Sequence, residues 1–196
     1  MWDERYKLAG YAYGTEPNDF LRENIAVLPK GKILCLAEGE GRNAVFLAKH
    51  GYQVTAVDSS IVGLQKAQNL AIENAVSIEC VHADLCEFEL GSQQWDGVVS
   101  IFCPLLTEQR VAVHTKVAQG LKSSGVFLTE AYTPKQVQFA SGGGDCTDTM
   151  QSKTSLLREF PTLEFMYLLE LEREVVEGSY HTGLASVVQA IGRKRY

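Results

Sequence analysis

The sequence predicts an α/β fold: a doubly wound, mostly parallel sheet of seven strands with an antiparallel hairpin at its C-terminal end. Three observations predict it. Between residues 31 and 131, short apolar runs alternate with segments of helical periodicity, the pattern of strands joined by crossover helices. The first run leads into a glycine turn and a helix start, Gly39-Glu40-Gly41-Arg42-Asn43-Ala44. The last two strand-like runs have no helix between them, so they pair antiparallel. A chain of 196 residues is long enough for a sizeable core. No repeat and no second domain is discernible, and residues 1–196 read as one domain.

Residues 1–30 read as an arm. Trp2, Tyr6, Tyr11 and Tyr13 are spaced too irregularly for a strand. A helix is expected after Pro17-Asn18-Asp19, with Phe20, Leu21, Ile25 and Ala26 on its apolar face and Pro29-Lys30-Gly31 as its stop. The arm either packs on one end of the sheet or forms a lid whose tyrosines touch a ligand.

The core follows over residues 31–131. Ile33 to Ala37 forms the first strand, and a helix from about Arg42 to His50 ends at Gly51. Strand two is Gln53 to Asp58, and Ser59 or Ser60 caps a helix with Ile61, Leu64, Ala67 and Ala71 on one side. Strand three is Ile78 to His82 and strand four Asp96 to Cys103. Thr107 is placed as the cap of a helix bearing Val113, Val117 and Leu121, and Ser123-Ser124-Gly125 turns into strand five, Val126 to Ala131. Residues 132–196 hold a glycine loop at Ser141-Gly142-Gly143-Gly144-Asp145, a connector or a flap, then a short helix from Lys153 to Phe160. The hairpin is read as Leu163 to Val176 and Leu184 to Ile191, with Glu177 to Gly183 as its turn.

Composition narrows the function classes. The formal net charge is −6, and Lys and Arg cluster only at Arg193-Lys194-Arg195, so a nucleic-acid partner is disfavoured. No apolar run suits a membrane span, and Met1-Trp2-Asp3-Glu4-Arg5-Tyr6 starts no signal peptide, so a cytoplasmic protein is expected. Five cysteines without CxxC spacing read as buried thiols rather than as a disulfide frame or zinc site. Four histidines lack HxH or HxxxH spacing, and no metal site is expected.

Polar groups recur at successive strand ends: the glycine turn after strand one, Asp58 after strand two, Asp84 after strand three and Phe102-Cys103-Pro104 after strand four. In open parallel sheets ligands bind at this carboxyl edge. An Asp such as Asp58, 19 positions after Gly39, suits a ribose diol, since a carboxylate accepts from both hydroxyls. The turn alone is compatible with a dinucleotide. Glu40, however, would set a negative charge against a pyrophosphate and suits a cationic ligand better.

The stretch Cys35-Leu36-Ala37-Glu38-Gly39-Glu40-Gly41 resembles the first motif of the class I S-adenosylmethionine-dependent methyltransferases. Cys35 stands where that family usually has an acid, and Ala37 where it has its first glycine. The resemblance implies a Rossmann-like sheet with a reversed seventh strand, S-adenosylmethionine as cofactor and S-adenosylhomocysteine as product. It assigns cofactor contacts to Ala37, Glu38, Gly39, Gly41 and Asn43 in the turn, and to Asp58 and Ser59 at the ribose. It adds Asp84 and Leu85 at the adenine, Phe102 beyond strand four, and Tyr6 and Tyr13 from the arm. Gly39 to Ala44 together with Gly51-Tyr52-Gln53-Val54-Thr55-Ala56-Val57-Asp58 is similar to the tellurite-resistance-type and thiopurine-type branch, which acts on small molecules. A thiol, a metalloid oxyanion or a carboxylate is the acceptor this suggests.

Methyl transfer requires alignment and desolvation, and a base only when the nucleophile arrives protonated. His181 is the candidate base and Glu177 its orienting partner, provided that their turn lies at the carboxyl edge. Otherwise His181 serves the turn itself. Two other readings stand beside this one. An NAD-dependent oxidoreductase of the short-chain type would need a Tyr-x-x-x-Lys pair, which is missing. A non-catalytic methyltransferase-like protein, which binds the cofactor or nothing and acts through a partner, is the reading that Cys35 and Ala37 keep open. Monomer and homodimer are both compatible with the sequence.

Overall fold

A computed structural model describes residues 2–195; Met1 and Tyr196, the two ends of the single-domain reading, lie outside the described residues. The described chain forms one seven-stranded sheet in the order β3-β2-β1-β4-β5-β7-β6. The strands are β1 (Lys32–Leu36), β2 (Gln53–Asp58), β3 (Glu79–His82), β4 (Trp95–Ile101), β5 (Leu121–Tyr132), β6 (Leu163–Glu177) and β7 (His181–Lys194). β1 to β5 pair in parallel, β7 runs antiparallel to β5, and β6 antiparallel to β7.

The central strands are apolar throughout because both sheet faces are covered. In β1, Leu34 and Leu36 enter one core with Val98, Val117, Phe127 and Phe160, while Ile33 and Cys35 enter the other with Leu47, Val54, Leu64 and Val99. The period of two in a strand divides these four consecutive residues between two layers. The helices that cover these faces are α2 (Asp19–Asn24), α3 (Arg42–Lys49), α4 (Ile61–Glu73), α5 (Thr107–Gly120) and α6 (Lys153–Glu159). Asn18, Ser60 and Ser152 cap α2, α4 and α6 through their side chains.

Several boundaries differ from expectation. Residues Trp2–Tyr6 form a short helix, α1, in the arm that aromatic spacing left unassigned. α5 is capped at Leu106 rather than Thr107, whose hydroxyl instead donates to Asp148 Oδ1 at 2.6 Å. β5 begins at Leu121 rather than Val126. Ser124 adopts φ 64, and the register with β4 jumps from Trp95–Leu121 to Gly97–Val126, so the predicted turn is an irregularity within the strand. The hairpin is longer than its apolar pattern suggested. Glu177 and His181 are cross-strand partners, which leaves only Gly178-Ser179-Tyr180 as the turn. Ladder pairing, invisible to side-chain patterning, sets that length. Because β6 runs in the sense of β5, this turn lies at the carboxyl edge of the parallel strands. Glutamates 164, 170, 172 and 174 on β6 charge the exposed edge against further pairing. No described helix is long and apolar enough to cross a membrane.

Candidate active site

β1 and β4 are neighbours whose crossovers leave in opposite directions, so the carboxyl edge opens between them. A cavity of about 740 Å³ occupies that place. Two residues at its base, Ala37 after β1 and Phe102 after β4, both have φ 49. Left-handed backbone at non-glycine residues stores strain, and such residues gather at ligand sites.

One end of the cavity is acidic. Glu38, Asp58 and Asp84 line it with Ala37, Asn43, Ser59 and Leu85. Glu38 is buried, and its Oε1 accepts from the α3 backbone at Asn43 N (2.9 Å) and Ala44 N (2.8 Å). Burial pushes its carboxyl up to about 7, and Asp58 adds to this against the backbone N–H groups and Arg42. Cys35, at the position of the missing acid, is fully buried, and burial raises its thiol well above the usual value. Thus the acid that orders the helix start sits three residues beyond the expected place. Asp58 accepts from Gly39 N (2.8 Å) and Ser60 N (2.7 Å), and burial also raises its carboxyl. Each of its oxygens keeps a lone pair for a ribose hydroxyl. Asp84 Oδ1 accepts from Cys86 N at 2.8 Å.

The two glycines of the turn are absent from the cavity wall. A Cβ on Gly39 would lie 2.6 Å from the Tyr6 hydroxyl, and one on Gly41 2.6 Å from Ala67 Cβ in α4. They allow close packing of arm and helix, while Ala37 and Glu38 face the cavity. Asn43 is on the wall, with its Oδ1 accepting from Asn18 N at 2.9 Å.

Glu40 overturns an expectation. It turns away from the cavity and accepts from Ala12 N (2.7 Å) and Lys66 Nζ (2.9 Å). Its charge is spent on the arm, so it does not discriminate between ligands at the turn. Lys66 also donates to Leu8 O and Gly10 O, and Ser179 N to Ala12 O. The arm is therefore strapped from α4 across to the hairpin turn. Tyr6 and Tyr13 reach the cavity wall from it, Tyr13 with its ring 4.5 Å from that of His181.

The other end of the cavity is built of rings and basic groups. His181 packs among Tyr13, Phe102 (4.8 Å) and Tyr132 (5.4 Å). Its Nδ1 lies 3.8 Å from Glu177 Oε2 and makes no hydrogen bond. Burial lowers its pKa below 6.5 despite Glu177, so the ring is neutral at pH 7. Glu177 stands behind the wall. It accepts from Arg42 Nη2 (2.6 Å), Asn18 Nδ2 (2.8 Å) and Arg173 Nη2 (3.3 Å). Burial alone would raise its carboxyl, but His181 and Arg42 outweigh it and hold it at about 2. Arg42 is neither a solvated cation nor a partner of Glu38 or Glu40 in hydrogen bonding: it reaches from the turn to the hairpin.

Sequence reasoning missed Arg5, Tyr132, Asn18 and the buried Glu130. Tyr132 ends β5, so the rule that located Phe102 also points to it. Arg5 is held by Tyr13 OH (2.6 Å) and the ring of Trp2 within the arm, and by the ring of Tyr180 from the distant hairpin turn, a contact that leaves no local pattern. The glycine loop lines the cavity at Gly142, Gly143 and Gly144. Its glycines are required: a Cβ on Gly142, at φ 127, would meet Tyr132 OH at 2.8 Å and His181 Cδ2 at 2.9 Å.

Residues 33–125 match the family model described as a methyltransferase domain. No curated relative matches the sequence. Among solved structures, one described by the conversion of a disulfide bond into a thioacetal group during echinomycin biosynthesis is similar, with 16% identity, TM-score 0.78 and 98% of this chain and 88% of that chain covered. TehB from Haemophilus influenzae is 17% identical, with TM-score 0.76 over 99% of this chain and 66% of that chain. The N-methyltransferase NodS from Bradyrhizobium japonicum WM9, in complex with S-adenosyl-l-homocysteine, is 14% identical, with TM-score 0.71 over 91% and 89%. At these identities the likenesses establish the fold.

Proposed function

We propose that this chain, whose residues 33–125 match the methyltransferase-domain model, is a class I S-adenosylmethionine-dependent methyltransferase that methylates a small molecule bound at the ring-lined end of the cavity, with His181 as general base. The supporting observation is the placement of His181: on the cavity wall at the carboxyl edge, neutral through burial, and backed by an ionised Glu177. S-adenosylmethionine supplies an electrophilic methyl group on a sulfonium. The acidic end suits this cationic cofactor. Asp58 and Ser59 are assigned to the ribose, Asp84 and Leu85 to the adenine, and Glu38, whose raised pKa a cation would relieve, to the ammonium group.

The other groups act on the acceptor. Tyr13, Phe102 and Tyr132 exclude water around it. The neutral His181 takes its proton, and Glu177, fixed by Arg42 and Asn18, stabilises the resulting imidazolium. The arm (1–30) serves as lid, as does the glycine loop. Of a thiol, an oxyanion and a carboxylate, the thiol is the acceptor that brings a proton for His181 to take; an oxyanion or a carboxylate would need alignment and desolvation alone. The small-molecule reading also agrees with the net charge of −6, which disfavours nucleic acid.

His181→Ala tests the proposal. General-base removal lowers rate by about 10²–10⁴-fold, so kcat should fall by roughly that much while S-adenosylhomocysteine affinity stays within a factor of two. Because burial lowers the pKa of His181, the wild-type rate should fall in an acid limb that lies below the usual histidine range, and this limb should vanish in the variant. Unchanged turnover with intact cofactor binding would remove His181 from the chemistry.

A further inference from the structure

Four buried side-chain polar atoms lack a hydrogen-bond partner among the described residues: Arg42 Nη1, Tyr132 OH, His181 Nδ1 and Gln151 Oε1. Native proteins seldom leave such atoms unpaired without a ligand or function to explain them. The first three belong to residues on the wall of the one cavity. They are neighbours. Arg42 Nη2 and His181 Nδ1 approach the same oxygen of Glu177, at 2.6 and 3.8 Å, and the His181 and Tyr132 rings are 5.4 Å apart. Gln151 adjoins them, its N donating to Tyr132 O at 2.8 Å.

Two of these atoms are donors whose chemistry is fixed. The Arg42 guanidinium is always charged and presents Nη1–H, its Nη2 being held by Glu177. The Tyr132 phenol, buried beside Glu177 and Glu130, keeps its proton. A charged and a neutral donor together suit a carboxylate. Around them the wall is aromatic: Phe102 lies 4.5 Å from the Tyr132 ring and 4.8 Å from that of His181. Among the described residues Arg42 and Arg173 are balanced by Glu177, Glu130 and Asp19, while Arg5, on the same cavity wall, contacts the hydroxyl of Tyr13 and the rings of Trp2 and Tyr180 and makes no ion pair with a carboxylate.

We propose that Arg42 Nη1 and the Tyr132 hydroxyl form an anchoring subsite for a carboxylate on a planar, unsaturated methyl acceptor whose ring lies against Phe102 and Tyr132. The pair determines specificity and leaves His181 to the reacting atom. The inference rests on the methyltransferase reading and narrows its acceptor. A carboxylate could also come from the amino-acid end of the cofactor, and the experiment separates the two sources.

Protein saturated with S-adenosylhomocysteine is titrated with benzoate and with benzamide, a neutral molecule of the same shape. Benzoate should bind at least ten-fold more tightly. Tyr132→Phe, which removes one oxygen and breaks no bond seen here, should cut that preference several-fold at an undiminished melting temperature. Arg42→Gln should abolish it. Equal binding of both probes, or binding of neither, overturns the proposal. So does a loss of S-adenosylhomocysteine affinity in these variants with 5′-methylthioadenosine, which lacks the amino-acid end, bound as before. Should Arg42→Gln fail to fold, Tyr132→Phe decides alone. Failure of the underlying reading looks different, because S-adenosylhomocysteine itself would then not bind.

Discussion

Glu38 shows how a single residue can be visible in a sequence and its role hidden. The strand-then-turn pattern singles it out, and the structure adds that it lines the cavity and caps α3 from a buried position with its carboxyl pushed up to about 7. A carboxyl raised above its unfolded value of about 4.5 contributes full stability below pH 4.5 and loses it as pH rises through 7. The loss is of the order of 3 kcal/mol over that window. Glu38→Gln keeps the acceptor oxygen for Asn43 and Ala44, so denaturation midpoints should decline less between pH 4.5 and 7 than those of the wild type. An equal decline in the variant would place the titration elsewhere. Asp58 and Asp84 were legible because they end strands. Arg42 was not, because its partner Glu177 lies 135 residues away and adjacency in the sheet brings them together.

At the level of elements, β2, α3 and α6 follow closely from periodicity and end signals, since these are local. The departures occur where pairing or packing overrides pattern: the irregular start of β5, the long hairpin and the arm helix α1. The glycine turn is a case where the position was legible and the reason was not. Gly41 lets the turn pack against Ala67 of α4 and is not among the residues that line the cavity. Gly41→Ala would place a methyl 2.6 Å from Ala67 at a residue with φ 91. Strain and overpacking together should cost roughly 2–4 kcal/mol, read as a lowered midpoint in urea. A cost below 0.5 kcal/mol would mean that turn and α4 are not tightly packed. Glu40 teaches the same lesson: its sequence position suggested a repelled pyrophosphate, and its side chain holds the arm.

For the whole molecule, the arm joins the two ends of the cavity. It is bonded to Glu40 and Lys66 on the cofactor side and to the hairpin turn on the other. A ligand that binds only the folded state stabilises it by RT ln(1 + [L]/Kd), about 2.7 kcal/mol at 100 times Kd. For a chain of this size that corresponds to roughly 5–10 °C in melting temperature. S-adenosylhomocysteine and S-adenosylmethionine should each produce such a rise and NAD none. A rise with NAD alone would replace the cofactor assignment made here.

The sequence by itself determined the class of fold, the carboxyl edge as the site and the acids at strand ends, because apolar periodicity, glycine turns and strand termini are local signals. Only the tertiary structure decided what each charge does. Glu40 went to the arm, Glu38 took over the helix cap beside Cys35, Arg42 crossed to Glu177, and Tyr132 joined His181 with its hydroxyl unpaired. The physical reason is that partners for buried polar groups are chosen by proximity in the folded chain, which pattern along the chain does not encode.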